Sequence, residues 1–149
     1  MPHVNVAIMR LQQLVGSGAR GPLANLLCHD PIPALIGFDP PIQLLHLEDA
    51  VSALAFAAHR ELAGLYTVAS AGVIHWQDAI RATGHSSFPV LPVSTAMLDP
   101  LPERLGIPFA PAELFDLMRF GHAVDIRKLE RAGWKPRFDQ AASLGQFTR

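Results

Sequence analysis

The stretch at residues 40–63, PPIQLLHLEDAVSALAFAAHRELA, most constrains what this chain can fold into. Its apolar run at 42–45 has the make-up of a short buried strand, and His46-Leu47-Glu48-Asp49 carries the chain into a long helix without a break. Ala50, Val51, Leu54, Ala57 and Ala58 recur at helical spacing, so one face of that helix is expected to be buried. A first-turn carboxylate, Asp49 or Glu48, suits the free backbone N–H groups and the positive end of the helix dipole. Gly64 then stops the helix and residues 65–68 supply another strand. Strand, acid-capped helix and strand read as one α/β unit.

At 149 residues the chain is long enough to bury a core, and a single domain over 1–149 is expected. Half of its residues are apolar and its net charge is −1, the profile of a globular protein without a basic field. Neither nucleic acid nor an anionic membrane is therefore expected as its main partner. No apolar run approaches the roughly 20 residues of a membrane span. No charged segment followed by an apolar one marks a leader, so a cytoplasmic location is expected. The one cysteine, Cys28, excludes an internal disulfide framework and reads as an ordinary semi-buried thiol. Seven histidines stand in the chain, none in an H-x-x-x-H or H-E-x-x-H pair, and no metal site is expected.

Taken in order, residues 4–9 (VNVAIM) read as a buried strand, and residues 10–18 as a loop whose Gly16 and Gly18 permit tight turns. A short helix is expected over 22–28 and an extended run over 32–38. Beyond the central unit come a helix over 76–82 stopped by Gly84 and an extended segment over 88–93. Residues 95–105 are expected to be partly helical, broken by Pro100 and Pro102. Helices follow over 111–120, 126–132 and 140–147, the first two closed by Gly121 and Gly133. Trp76, Trp134, Phe109, Phe115, Leu117, Met118 and Phe120 are expected to fill core.

Four motifs occur in sequence: Arg10-Leu-Gln-Gln-Leu-Val-Gly16, Leu44-Leu-His46-Leu-Glu-Asp49-Ala, Gly64-Leu-Tyr-Thr-Val-Ala-Ser70, and Val124-Asp125 with Gly133-Trp134-Lys135-Pro136. Together they resemble the carboxy-terminal half of an extended short-chain dehydrogenase/reductase, the NAD-dependent epimerase/dehydratase family. The family pattern runs R-x-x-N-V-Y-G-P, V-H-V-x-D-V, G-x-Y-N-V-A and a closing G-[WF]-x-P. The resemblance implies an α/β, Rossmann-like fold in which residues 4–10 and 42–69 are late sheet elements. Residues 20–40 and 73–149 would then form most of a smaller substrate-binding lobe. The dinucleotide-binding half is not in this sequence: it has no G-x-x-G-x-x-G turn and no Y-x-x-x-K pair, its only tyrosine, Tyr66, being followed four residues on by Ser70.

The resemblance implies NAD or NADP in a full-length context, with no cofactor and no catalytic residue expected in this chain alone. It places Arg10 and Gln13 on the loop bordering nicotinamide and substrate, and Gln12, Gln13 and Ile42 toward a small-molecule substrate. Gln13 stands where the family has Asn, and Ile42 where relatives that use nucleotide sugars have a diphosphate-gripping arginine. An isoleucine cannot replace a guanidinium fork, which argues against a nucleotide sugar. His46 and Asp49 read as structural, a strand-end histidine tied to backbone and a helix-capping acid. The partner expected is a missing amino-terminal Rossmann half or another chain; the other possibility is a stand-alone ligand-binding or partner-subunit module without catalysis.

Overall fold

The computed structural model describes residues 4–92 and 112–145. In chain order the first elements are β1 (Ala7–Leu11), β2 (Gln13–Val15), α1 (Pro22–Leu27), β3 (Ile32–Leu35), β4 (Pro41–Ile42), β5 (Leu44–His46) and α2 (Leu47–His59). They are followed by β6 (Gly64–Val68), β7 (Ile74–His75), α3 (Trp76–Thr83), β8 (Ser87–Val90), α4 (Ala112–Phe120), α5 (Arg127–Arg131) and α6 (Gln140–Gly145). The expected helix over 95–105 and the core role of Phe109 fall outside the described residues.

Among the described residues three strand pairs are parallel. β1 lies beside β6 with Ala7 opposite Gly64 and Leu11 opposite Val68. β2 lies beside β5, and β3 beside β8. Among the described residues only β4 and β7 run antiparallel. The expectation of a loop over 10–18 is corrected here. Arg10 and Leu11 still pair with Thr67 and Val68, and after a break at Gln12 the chain pairs again as β2. The turn begins only at Gly16, because residues 13–15 have a strand partner in β5 that the sequence does not reveal as a neighbour.

At Gln12 the two long strands diverge. The Gln12 N–H still donates to the Val68 carbonyl at 3.0 Å, but beyond it the Ser70 N–H donates to the Leu44 carbonyl of β5 at 2.8 Å. β5 thus wedges into a fork that opens at the carboxyl ends of β1 and β6. Two buried amides seal the wedge. Gln43 Nε2 donates to the Ser70 carbonyl at 2.9 Å, and the Leu44 N–H donates to Gln140 Oε1 at 2.9 Å. Gln140 Nε2 in turn reaches the carbonyls of Ser70 and Gly72 at 3.2 and 3.1 Å. Each is a polar group taken out of water and given a partner, as burial requires.

Among the described residues two apolar clusters form. The larger gathers Val15, Leu23, Leu26, Leu27, Ile32, Ile42, Trp76, Ile80, Met118 and Leu144 between α1, β3, α3, α4 and α6. Trp76 is fully buried there, its Nε1 donating to the Pro33 carbonyl at 3.0 Å. The smaller gathers Leu45, Ala50, Ala53, Val68, Leu129 and Trp134 under β6. Trp134 therefore packs on the sheet side, not in the lobe. Two further expectations are corrected. Phe120 is exposed at the end of α4, while Leu117 and Met118 are buried; and Cys28 is exposed.

The burial of α2 also differs from the expected face. Ala50, Ala53 and Ala57 turn inward, whereas Val51 and Leu54 are 60% and 46% exposed. Small side chains bring the helix close against the strands, and the larger ones lie on a flank nothing covers among the described residues. Between that flank and β1 runs a groove of about 490 Å³ lined by Asn5, Ala7, Met9, Leu54, Ala58 and Leu62.

Candidate functional site

Open parallel sheets place ligands in the crevice beyond the carboxyl ends of their strands, and here that edge is the fork at Gln12. Gln12 is 9% exposed, and its side-chain Oε1 lies 2.9 Å from His122 Nδ1, a contact spanning 110 positions in sequence. Gln43 holds the same incoming segment through its Oε1, which accepts from the Val124 N–H at 2.8 Å. The His122 N–H donates to the Pro41 carbonyl at 3.1 Å, and Ile42 and His122 form a parallel bridge. Residues 121–124 are thus fastened at the fork by one main-chain and two glutamine contacts.

The residues expected to face cofactor or substrate are placed differently from one another. Arg10 is exposed near the end of β1, and Gln13 is exposed at the start of β2. They flank the buried Gln12; their backbones pair with Thr67 and Leu44, and no hydrogen bond joins either side chain to another described residue. Ile42 lies fully buried in the larger cluster, opposite Ile74 of β7, and is not grouped with Arg10 and Gln13.

His46 and Asp49 organise a second, closed cluster. His46 ends β5 and is the N-cap of α2, its Nδ1 accepting from the Glu48 N–H at 3.2 Å. The ring is buried and stacks on Phe138 with centroids 3.9 Å apart. Against the expectation of a helix-capping acid, Asp49 does not cap its own helix; it is fully buried and accepts from the N–H groups of Arg137 and Phe138 at 3.0 Å each. Arg137 adds a longer contact to Asp49 and an exposed pair with Glu48 at 3.1 Å. This clasp ties the segment after α5 to the base of α2.

The His46 ring also decides what the glycine turn can do. A Cβ on Gly16 would sit 2.7 Å from His46 Nε2, and Gly16 has a φ of 107°. Its bare Cα is filled by a ring, and the next helix, α1, begins with Pro22, which has no N–H to offer. The turn from Gly16 to Pro22 therefore does not fit a cradle for a dinucleotide pyrophosphate, which needs open backbone N–H groups at a helix start. Among the described residues no three His, Cys, Asp or Glu side chains converge as a metal site would need, and no helix is long and apolar enough to cross a membrane.

Sequence reading missed Gln43, His122, Arg137, Phe138 and Gln140. A usable signal existed for Gln43. An amide inside the apolar run IQLL is costly to bury unless it is bonded, so its presence marks a required contact. Nothing local marks His122.

Comparison with known proteins bears on the fold. The chain is 27% identical over 149 residues to uncharacterized proteins of Mycobacterium tuberculosis and Mycobacterium bovis, covering 99% of this chain and 40% of each relative. Among solved structures, a human epimerase family protein with NADPH superposes with a TM-score of 0.68 at 15% identity, over 97% of this chain and 48% of that one. UDP-N-acetylglucosamine 4-epimerase from Bacillus cereus gives 0.63 at 10% identity, over 97% and 45%. The dTDP-glucose 4,6-dehydratase of Bacillus anthracis in complex with NAD gives 0.63 at 14% identity, over 95% and 43%. No family model matches the chain. At such identities the likeness is one of fold: the chain has the α/β architecture of epimerase and dehydratase structures over part of their length. It spans about 40% of the curated relatives it matches and under half of these structures.

Proposed function

We propose that this chain is the carboxy-terminal, substrate-binding portion of an NAD(P)-dependent epimerase, dehydratase or reductase acting on a small substrate other than a nucleotide sugar. The observation that carries this reading is the coverage: 97% of the chain superposes on less than half of an epimerase-family structure. Ile42, buried in the core where an arginine would be needed to grip a diphosphate, supports the restriction on substrate. The cofactor pyrophosphate and the acid–base pair would be held by the other half, so residues 1–149 alone are expected to be inactive. Titration of the purified chain with NAD and NADPH by calorimetry tests this. No binding is the expected result, and micromolar binding by this chain would overturn the division of labour.

One observation favours a second reading, in which another polypeptide completes the sheet. β1 pairs only with β6 among the described residues, leaving an open edge beside the exposed Val6, Ile8 and Leu65. Such an edge invites strand addition. Reading the DNA upstream of the Met1 codon separates the two. An open frame of about 150 residues, one domain's length, with a glycine-rich turn and a Tyr-x-x-x-Lys pair supports the first reading; an in-frame stop supports the second.

A further inference from the structure

Two strand edges of this chain are finished in opposite ways. In the β3–β8 pair the Ile32 and Ile36 N–H groups donate to the Ser86 and Val90 carbonyls, so Ser87 and Pro89 turn their main chain away from β3. Pro89 has no N–H, and a proline on an outer edge blunts strand addition. In the β1–β6 pair the Val6 carbonyl accepts from the Gly64 N–H at 2.8 Å, and the Gln12 N–H donates to the Val68 carbonyl at 3.0 Å. Even-numbered residues of β1 thus face β6, while Asn5, Ala7, Met9 and Leu11 turn N–H and C=O outward. No hydrogen bond among the described residues reaches those outward groups. Residues 4–11, VNVAIMRL, hold no proline and a single charge, Arg10, so nothing in this edge resists pairing.

Ala7 and Met9 also line the groove between β1 and α2, with Leu54, Ala58 and Leu62 on its other wall, and Val51 and Leu54 stand exposed along that flank of the helix. A strand edge alone is smaller than the about 800 Å² that a stable interface hides on each partner, so an occupant must meet the edge and the flank together. The chain's own surface does this. An antiparallel copy of β1, turned about a two-fold axis through Ile8, sets Ala7 opposite the copy's Met9 and Met9 opposite its Ala7, a small side chain against a large one each time. Arg10 falls opposite Val6, so no like charges face each other. The two Ile8 side chains meet where a facing pair comes closest. The same axis sets the Leu54 flank of α2 beside its copy. It keeps the two Glu61 carboxylates, which lie by Asn5 at one end of the groove, at opposite ends of the pair. Two-fold pairing also closes the assembly at two chains.

We propose that the open edge of β1 and the apolar flank of α2 form a self-association surface whose occupant is a second copy of this chain, its β1 running antiparallel with the two-fold axis at Ile8. The proposal rests on the second reading above, in which another polypeptide completes the sheet, and names that polypeptide.

The test measures the mass of the full 149-residue chain in solution by light scattering across a dilution series. A dimer that dissociates on dilution is expected. Ala7→Pro removes one outward N–H and spares the bonds to β6; because the axis loses that bond twice, it should weaken the dimer about thirtyfold. Leu54→Glu, at an exposed helix position, should weaken it as well by setting two carboxylates face to face. Cross-linking reads the register without destabilising the chain. In a Cys28→Ser background, Ile8→Cys should form an intermolecular disulfide on air oxidation, since facing residues that share no hydrogen bond lie about 4.5 Å apart at Cα. Arg10→Cys should not, because its own copy lies four residues further along. A chain that is monomeric at every concentration would overturn the proposal, as would a dimer that neither Ala7→Pro nor Leu54→Glu weakens. Cross-linking through Arg10→Cys in place of Ile8→Cys would overturn the register. A monomeric chain with an in-frame stop upstream would sink the second copy and leave the reading of another polypeptide standing. An open upstream frame would remove that reading whatever the mass.

Discussion

The two apolar clusters of this chain are finished to different degrees. The lobe cluster around Trp76 and Leu27 is enclosed by α1, α3, α4, α6 and residues of β2, β3, β4 and β5, and its main side chains are buried. The sheet-side cluster around Val68 and Trp134 is covered on one face only. On its far side Val6, Ile8 and Leu65 are exposed, Ile8 by 56%, and Val51 and Leu54 line an open flank. A core that closes on itself stabilises a fold unaided, whereas a parallel pair with a bare edge has left part of its burial to something else. The difference separates what this chain can hold together alone from what it holds ready for another segment.

The sharpest way to break that comparison is a pair of truncations, one in each region. Trp76→Ala removes a fully buried ring and orphans the Pro33 carbonyl, and should cost about 4 kcal/mol in urea unfolding. Ile8→Ser on the bare face should change stability by less than about 0.5 kcal/mol, while making the chain less prone to self-associate in size-exclusion chromatography. The two tryptophans serve as reporters, since Trp76 lies in the lobe and Trp134 on the sheet side. A large loss from Ile8→Ser would mean that the face is already satisfied, and the contrast between the regions would fall.

Asp49 joins α2 to the segment carrying Arg137 and Phe138, and its removal should have the next largest effect. Asp49→Ala leaves two backbone N–H groups without an acceptor and frees the ring of Phe138 from its place on His46. Loss of charge-assisted bonds at a fully buried site should cost about 3 kcal/mol. The Trp134 signal should report it first, because Trp134 Nε1 donates to Ser52 on the same helix at 3.0 Å. If the Trp76 signal moves equally, the two regions unfold as one.

Much of the frame was legible in the sequence because it is local. The strand–helix–strand unit, the stops at Gly84, Gly121 and Gly133, and the helix containing Leu117 and Met118 all follow from spacing and turn chemistry within a few residues. The parts that were not legible depend on distant partners. Periodicity marked Val51 and Leu54 as apolar but could not say that three alanines would win the inner face, since close packing against strands is decided by the neighbour. Asp49 was placed rightly in the first turn, yet its carboxylate serves residues 88 and 89 positions away, which no local rule contains. The Gln12–His122 contact is the extreme case. Gln12 is read toward the substrate through its motif, but its partner lies in the six-residue stretch at 121–126, GHAVDI, between two helices, where nothing local marks a contact.

The smallest effect expected belongs to Asp125, which lies beside neither core. Side-chain and backbone hydrogen bonds from Arg127 lower its pKa from 3.8 to about 2. Arg127 Nε lies 2.9 Å from Oδ1 and its NH2 nitrogen 2.7 Å from Oδ2, a forked contact at the start of α5. A carboxylate depressed on folding contributes stability that is fully present above the unfolded pKa and is lost as pH falls through the folded one. The contact should therefore persist down to pH 4 and be half lost at about pH 2, while the stability it contributes declines from pH 3.8 downward. Both groups are exposed, so solvent screening should keep the effect on global unfolding within experimental scatter. The measurement is the Asp125 carboxyl ¹³C shift against pH in the native chain and in Arg127→Gln, where the midpoint should return toward 3.8. An unmoved midpoint would assign the depression to the positive end of α5 instead, and a matching loss of Trp134 fluorescence would show that this exposed pair is coupled to the sheet-side core after all.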